Sequence, residues 1–171
     1  ISLGALATHH IMDEELINCP ASSSFRLPAG TKYLIGHNID FDWVAIGSPE
    51  VKRICTLALA RSLWPELDSH TQSALLYYFE RETAREQLRN AHSALADVWI
   101  CSKIVGQIID KLHPISLDAL WEMSEKARIP KVMPYGKHKG ELISQVPTDY
   151  KQWLLRQDNV SGYLRKALEA K

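Results

Sequence analysis

Apolar and polar positions alternate in two short blocks of the chain and recur at helical spacing over most of the rest. TKYLIGH (31–37) is rich in β-formers and bounded by Gly36, and VKRICTL (51–57) alternates well enough for a second strand. Between them, NIDFDWVAIG predicts a helix with Phe41, Val44 and Ala45 on one side. Residues 56–63 turn helical and Pro65 stops them, because proline lacks the amide donor and clashes with the preceding turn. SALLYYF and RETAREQLR predict one or two helices with a solvated face. The clearest period lies in 93–112, where Leu95, Val98, Val105, Ile109 and Leu112 form a stripe and Lys103, Gln107 and Asp110 fall off it. Ser116 is placed to cap a further helix that ends before Pro130. Upstream, ISLGALATHH reads as loop, IMDEELI as a short helix, and 18–30 as a polar connection.

The tail has its own rhythm. GKHKG (136–140) makes a Gly-bounded basic turn between two short extended runs, and an amphipathic helix follows from about Thr148 with Trp153 and Leu154 in its core. The expected organisation is an α/β body over 1–112, a connecting helix over 113–130, and a small hairpin-and-helix module over 131–171.

Composition narrows the class. At 171 residues, 46% hydrophobic and 23% charged, the chain can bury a full domain core and is neither disordered nor fibrous. No apolar run approaches the roughly 18 residues of a membrane span, and no signal segment opens the chain. Cys19, Cys55 and Cys101 follow no metal or disulfide spacing, so they read as buried structural thiols in a reducing, cytoplasmic setting. The net charge of zero hides a split: residues 1–112 carry ten basic and thirteen acidic side chains, and 131–171 carry eight and four. A mildly acidic body beside a basic module suits a metal-holding site next to a polyanion-binding arm.

Two segments carry candidate chemistry. In NAHSALADVW, His92 and Asp97 are five apart, about 140° out of phase on one helix. They serve one site only if His92 precedes the helix and Asp97 lies in its first turns, with Ser93 as a cap. A surface histidine and an aspartate favoured by the helix dipole would give the same pattern. HNIDFD brings Asp40 and Asp42 to a strand–helix junction. Two-metal phosphodiester hydrolysis needs clustered carboxylates, because divalent ions roughly 4 Å apart repel unless anions surround them. Asp42 and Asp97 are candidates for two such ligands, and their oxygens would suit Mg²⁺ or Mn²⁺ better than zinc.

These residues lead to a resemblance. His37-Asn38-x-x-Phe41-Asp42 followed by His92-x-Ala94-x-x-Asp97 resembles the second and third motifs of the DEDDh, DnaQ-like 3′–5′ exonucleases. ICTLALARSLWPEL and ALATHHIMDEEL are similar to further segments of that family. YGKHKGELISQVPTDYKQWLL resembles the module that follows the nuclease domain in exodeoxyribonuclease X-like proteins. The resemblance covers nearly all of the chain. It implies an RNase H-like fold, a two-ion Mg²⁺ or Mn²⁺ site held by Asp42 and Asp97, and His92 as general base. It further implies Asn38 and Phe41 on the substrate wall, His9 near the terminal nucleotide, and DNA with a 3′ end as partner. His37 and His10 are read as structural or peripheral, and Asp40 as a solvated neighbour.

Lys137 and Lys139, beside His138 and Tyr135, suit contact with phosphates or an exposed solvated turn equally well. The family's D-x-E motif has no counterpart: Asp13-Glu14-Glu15 has the spacing but the wrong place. Ile1 opens the chain in mid-loop, so the expectation is a longer protein whose earlier part supplies that motif, with residues 1–171 inactive alone. The competing reading is a non-catalytic nucleic-acid-binding or adaptor protein that keeps the fold.

Overall fold

The computed structural model describes residues 1–90 and 94–170, without the side chains of Thr8 and Asn90. Strand β1 (Tyr33–Gly36) pairs in parallel with β2 (Lys52–Cys55), from Tyr33 opposite Lys52 to Gly36 opposite Cys55. Parallel neighbours need a crossover, and helix α2 (Asp40–Ala45) supplies it. Helices α3 (Thr56–Leu63), α4 (Gln72–Phe79), α5 (Arg81–Gln87), α6 (Ala94–Leu112) and α7 (Leu117–Ala127) follow. The body is therefore α/β, with a two-stranded sheet among the described residues. None of their helices is long and apolar enough to cross a membrane.

Ile54, Leu59, Leu75, Leu76, Ile104, Ile108 and Leu120 form the core of the body. Leu120 belongs to α7, which the sequence presents as a connection; it packs on α3 and β2 as a layer of the body. Its Ser124 is fully buried, and the Ser124 hydroxyl accepts the Cys55 N–H at 2.8 Å, fastening α7 to the end of β2.

The inward face of α6 differs from the sequence expectation. Ile100, Cys101, Ile104 and Ile108 are buried, whereas Leu95 is 69% exposed and Val98 and Ile109 are also exposed. The helix carries two apolar stripes, and contact with α3 and α4 selects the one at 100, 104 and 108. The start of the chain also differs. Residues 3–9 form a helix, α1 (Leu3–His9), whose first turn is capped by Ser2. IMDEELI reduces to a 3₁₀ turn at Asp13–Leu16. Cys19 is exposed, unlike Cys55 and Cys101.

The tail has a separate core of Met133, Ile143, Val146, Leu154, Val160, Leu164, Ala167 and Leu168. Among the described residues the expected hairpin contracts to an antiparallel bridge, Val132 with Leu142, held by Met133 N–H to Glu141 O and Ile143 N–H to Lys131 O, both at 2.9 Å, while Gly140 N–H to Met133 O at 2.8 Å closes the turn. Gly136 and Gly140 both have positive φ, which tightens the intervening turn and leaves no extended run to pair. Two helices follow, α8 (Thr148–Leu155) and α9 (Gly162–Glu169), the second capped by Ser161. Leu154 is buried as the periodicity predicts, but Trp153 is 52% exposed.

One polar cluster joins tail and body. Arg128, just past α7, has a side chain only 5% exposed and pairs with Asp40 of α2 at 2.5 Å and with Glu125 at 3.1 Å. It also donates to the hydroxyl of Tyr163 on α9, which in turn donates to Glu125 at 2.7 Å. Asp40 additionally pairs with Arg53, whose guanidinium lies 4.0 Å over the ring of Trp43. Asp40 is thus a bridging anion, a correction to its reading as a solvated neighbour. Burial works against the Arg128 charge, yet the Asp40 hydrogen bond and the surrounding oxygens hold it more firmly protonated than a free guanidinium. Burial, then the bond to Glu125, pushes the Tyr163 phenol well above its ordinary range, so it stays a neutral donor.

Candidate active site

The chain must turn sharply between β1 and α2, and Asn38 makes that turn in the left-handed region at φ 64°. Asparagine tolerates this conformation better than other residues with a Cβ. Its carbonyl then accepts the Phe41 N–H at 3.1 Å, which starts the helix. The turn brings Asn38, Phe41 and Asp42 to one wall of a cavity of about 700 Å³. The first two turns of α6 bring Ala94, Asp97, Val98 and Cys101 to the same cavity. Two aspartates far apart in sequence therefore face one space. Phe41, 76% exposed, leaves a large aromatic face uncovered at its edge.

His37 also lines this cavity, but both its ring nitrogens are engaged. Nε2 lies 2.8 Å from the His70 carbonyl and Nδ1 3.0 Å from the Thr56 hydroxyl. A neutral ring satisfies both, Nε2 donating to the carbonyl and Nδ1 accepting from Thr56. Burial lowers the His37 pKa, partly offset by the His70 carbonyl. This is a structural histidine tying β1, α3 and the loop before α4. A second proton would reverse the Thr56 bond, Nδ1–H donating to Oγ1 while the hydroxyl turns to the Gly36 carbonyl at 3.2 Å, so what opposes protonation is burial of the charge. Because the folded value is depressed below the ordinary 6.5, the unfolded chain binds the extra proton first. The contribution is present above pH 6.5 and is lost as pH falls through the folded value. Thermal melting of His37→Gln against the parent should show a shallower fall of Tm with acidification; parallel profiles would refute the neutral assignment.

Cys101 sits 3.9 Å from Thr56 Oγ1, and burial pushes its thiol above the ordinary value. It is a protonated, apolar part of the cavity wall and no nucleophile at neutral pH. Gln72, at the start of α4, also lines the cavity, and its Oε1 is buried without a hydrogen-bond partner. No periodicity or motif singles it out.

The other described candidates lie away from this cavity. His92 falls outside the described residues. His9 closes α1, where its Nδ1 accepts the Ile11 N–H at 2.9 Å, and it does not line the cavity. Lys137 and Lys139 lie on the tail turn. Glu15 accepts the Met12 N–H at 2.7 Å and so caps its own 3₁₀ turn. Among the described residues no three His, Cys, Asp or Glu side chains gather as a metal site. Asp42 and Asp97 match a hard divalent cation in donor type and fall short of it in number.

Comparison with known proteins gives two similarities. The chain is 25% identical over 175 residues to exodeoxyribonuclease 10 of Escherichia coli (strain K12), spanning 99% of this chain and 78% of that protein. The protein of the same name from Escherichia coli O6:H1 (strain CFT073) gives the same figures. Residues 125–170 match a family described as "Putative quorum-sensing-regulated virulence factor". That segment begins at Glu125 and so contains Arg128 and Tyr163 along with the tail core. No solved structure matches the chain.

Proposed function

We propose that this chain is the larger part of a DEDDh-type 3′–5′ exodeoxyribonuclease with an RNase H-like fold, releasing nucleoside monophosphates from DNA in a reducing, cytoplasmic setting. The observation that carries this reading is the convergence of Asp42, Asp97, Asn38 and Phe41 on one cavity. The exodeoxyribonuclease relatives support the reaction class. Asp42 and Asp97 would hold Mg²⁺ or Mn²⁺, with further carboxylates completing a two-ion site. When bound, such ions supply positive charge against the phosphodiester oxygens. His92 takes the proton from the attacking water. Asn38 and the uncovered ring of Phe41 shape the wall for the terminal nucleotide, with His9 near the 3′ end, and Lys137 and Lys139 meet phosphates further along.

The test uses the protein in its full encoded length and strands labelled at either end. Mg²⁺-dependent release of mononucleotide from the 3′ label first is the expected result. His92→Ala should reduce the rate about 10²- to 10⁴-fold. Release from the 5′ label first, or a fully active His92→Ala, overturns the reading. A second reading, a non-catalytic nucleic-acid-binding or adaptor protein, is favoured by the gathering of only two carboxylates among the described residues. Strand retention with no release at any divalent-ion concentration would establish it instead.

A further inference from the structure

The tail surface holds something the catalytic reading does not use. His138 and Tyr150 meet edge to face with ring centroids 4.6 Å apart, and Tyr150 continues to Trp153 at 5.4 Å with a tilt of 35°. The row is rigid where it meets the basic turn. Tyr150 Oη accepts the Lys137 N–H at 3.3 Å, and it lies so close to Gly136 that an added Cβ would come within 2.5 Å. Tyr150 packs against the tail core with one side, whereas Trp153 takes no part in that core. Tyr135, before the turn, is exposed as well. Lys137 and Lys139 flank the row, both exposed and without an ion-pair partner among the described residues, while His138 pairs with Glu141 at 2.9 Å. Asp149, at the head of α8, is the other acid near this surface.

The row thus runs from a turn that carries two exposed lysines to a half-exposed indole face, so aromatic and cationic groups share one surface. We infer that this row is a stacking platform for the bases of an unpaired nucleic-acid strand whose phosphates the two lysines neutralise. Stacked duplex bases show only their edges, whereas every unpaired base offers a face, and lysines spaced beside aromatic rings match a backbone that repeats alongside its bases. The surface would take single strands with little regard to sequence. The inference rests on reading Lys137 and Lys139 as phosphate contacts, and the two claims separate experimentally.

Binding would be measured on the full chain in EDTA by fluorescence anisotropy of a labelled oligothymidylate and of a blunt hairpin duplex, over a salt series. Trp153→Leu keeps apolar bulk and removes the π-face; it should weaken single-strand binding roughly 5- to 100-fold and leave the salt slope unchanged. Trp153→Phe should restore most of the loss. The double variant Lys137→Gln, Lys139→Gln should weaken binding and flatten the salt slope by about 1.4 on the single strand. If Trp153→Leu binds like the parent while the lysine variant does not, the platform is wrong and the phosphate contacts stand. If only the lysine variant is silent, the phosphate contacts are wrong and the platform stands. Equal loss on the blunt duplex, or no oligonucleotide binding by the parent, overturns the assignment to unpaired strands.

Discussion

Arg128→Met is expected to lower stability by about 3 kcal/mol, with the tail loosening from the body. The guanidinium is 5% exposed and serves Asp40, Glu125 and Tyr163 together. Removing one partner of a buried ion pair costs about 3–5 kcal/mol, largely because the other charge is left uncompensated. Asp40 is 45% exposed and recovers some hydration, which sets the expectation at the lower end. For a chain of this length, about 3 kcal/mol lowers Tm by roughly 6–12 °C. Arg128→Lys should recover only part of the loss, since an ammonium cannot fork between Asp40 and the Tyr163–Glu125 pair. Thermal unfolding followed by circular dichroism checks the magnitude. Limited proteolysis between 128 and 131 checks the location: cleavage there should accelerate before the body melts. An unchanged Tm would mean that the two cores alone hold the joint.

This cluster also marks where the sequence stops being informative. The strands were legible because β-formers and Gly36 bound them locally, and α3 because Pro65 ends it. The inward face of α6 was not legible, because both Leu95–Val98–Ile109 and Ile100–Ile104–Ile108 are apolar and only the neighbouring helices choose between them. In α1 a local signal was present and outweighed: Ser2 caps the Ala5 N–H, though the Gly-containing segment reads as loop. That Asn38, Phe41, Asp42 and Asp97 line one cavity agrees with the motif spacing that grouped them. Asp40 and Arg128, and the exposure of Trp153, depend on partners far along the chain, which periodicity does not report. Gln72 likewise becomes conspicuous only through its orphaned oxygen.

Asp42→Asn and Asp97→Asn should each abolish divalent-dependent nucleotide release in the full-length protein, while Asp40→Asn, two positions from Asp42, should act in the opposite manner. Loss of an outer-shell partner of a metal ligand costs about 10- to 100-fold in affinity or activity, so loss of a ligand itself should exceed about 100-fold. The substitution is isosteric and removes a negative charge from the cavity, so neither Asp42→Asn nor Asp97→Asn should lower Tm. Asp40→Asn instead removes one of the two carboxylates that face the buried Arg128, leaving Glu125 alone against its charge, and frees Arg53, so Tm should fall. Mn²⁺ titration by calorimetry separates the roles without depending on turnover: heat should vanish for Asp42→Asn and Asp97→Asn and persist for Asp40→Asn. If Asp42→Asn binds Mn²⁺ like the parent, the cavity aspartates are not a metal pair. If Asp40→Asn loses the metal with Tm unchanged, the two neighbouring carboxylates have been assigned the wrong way round.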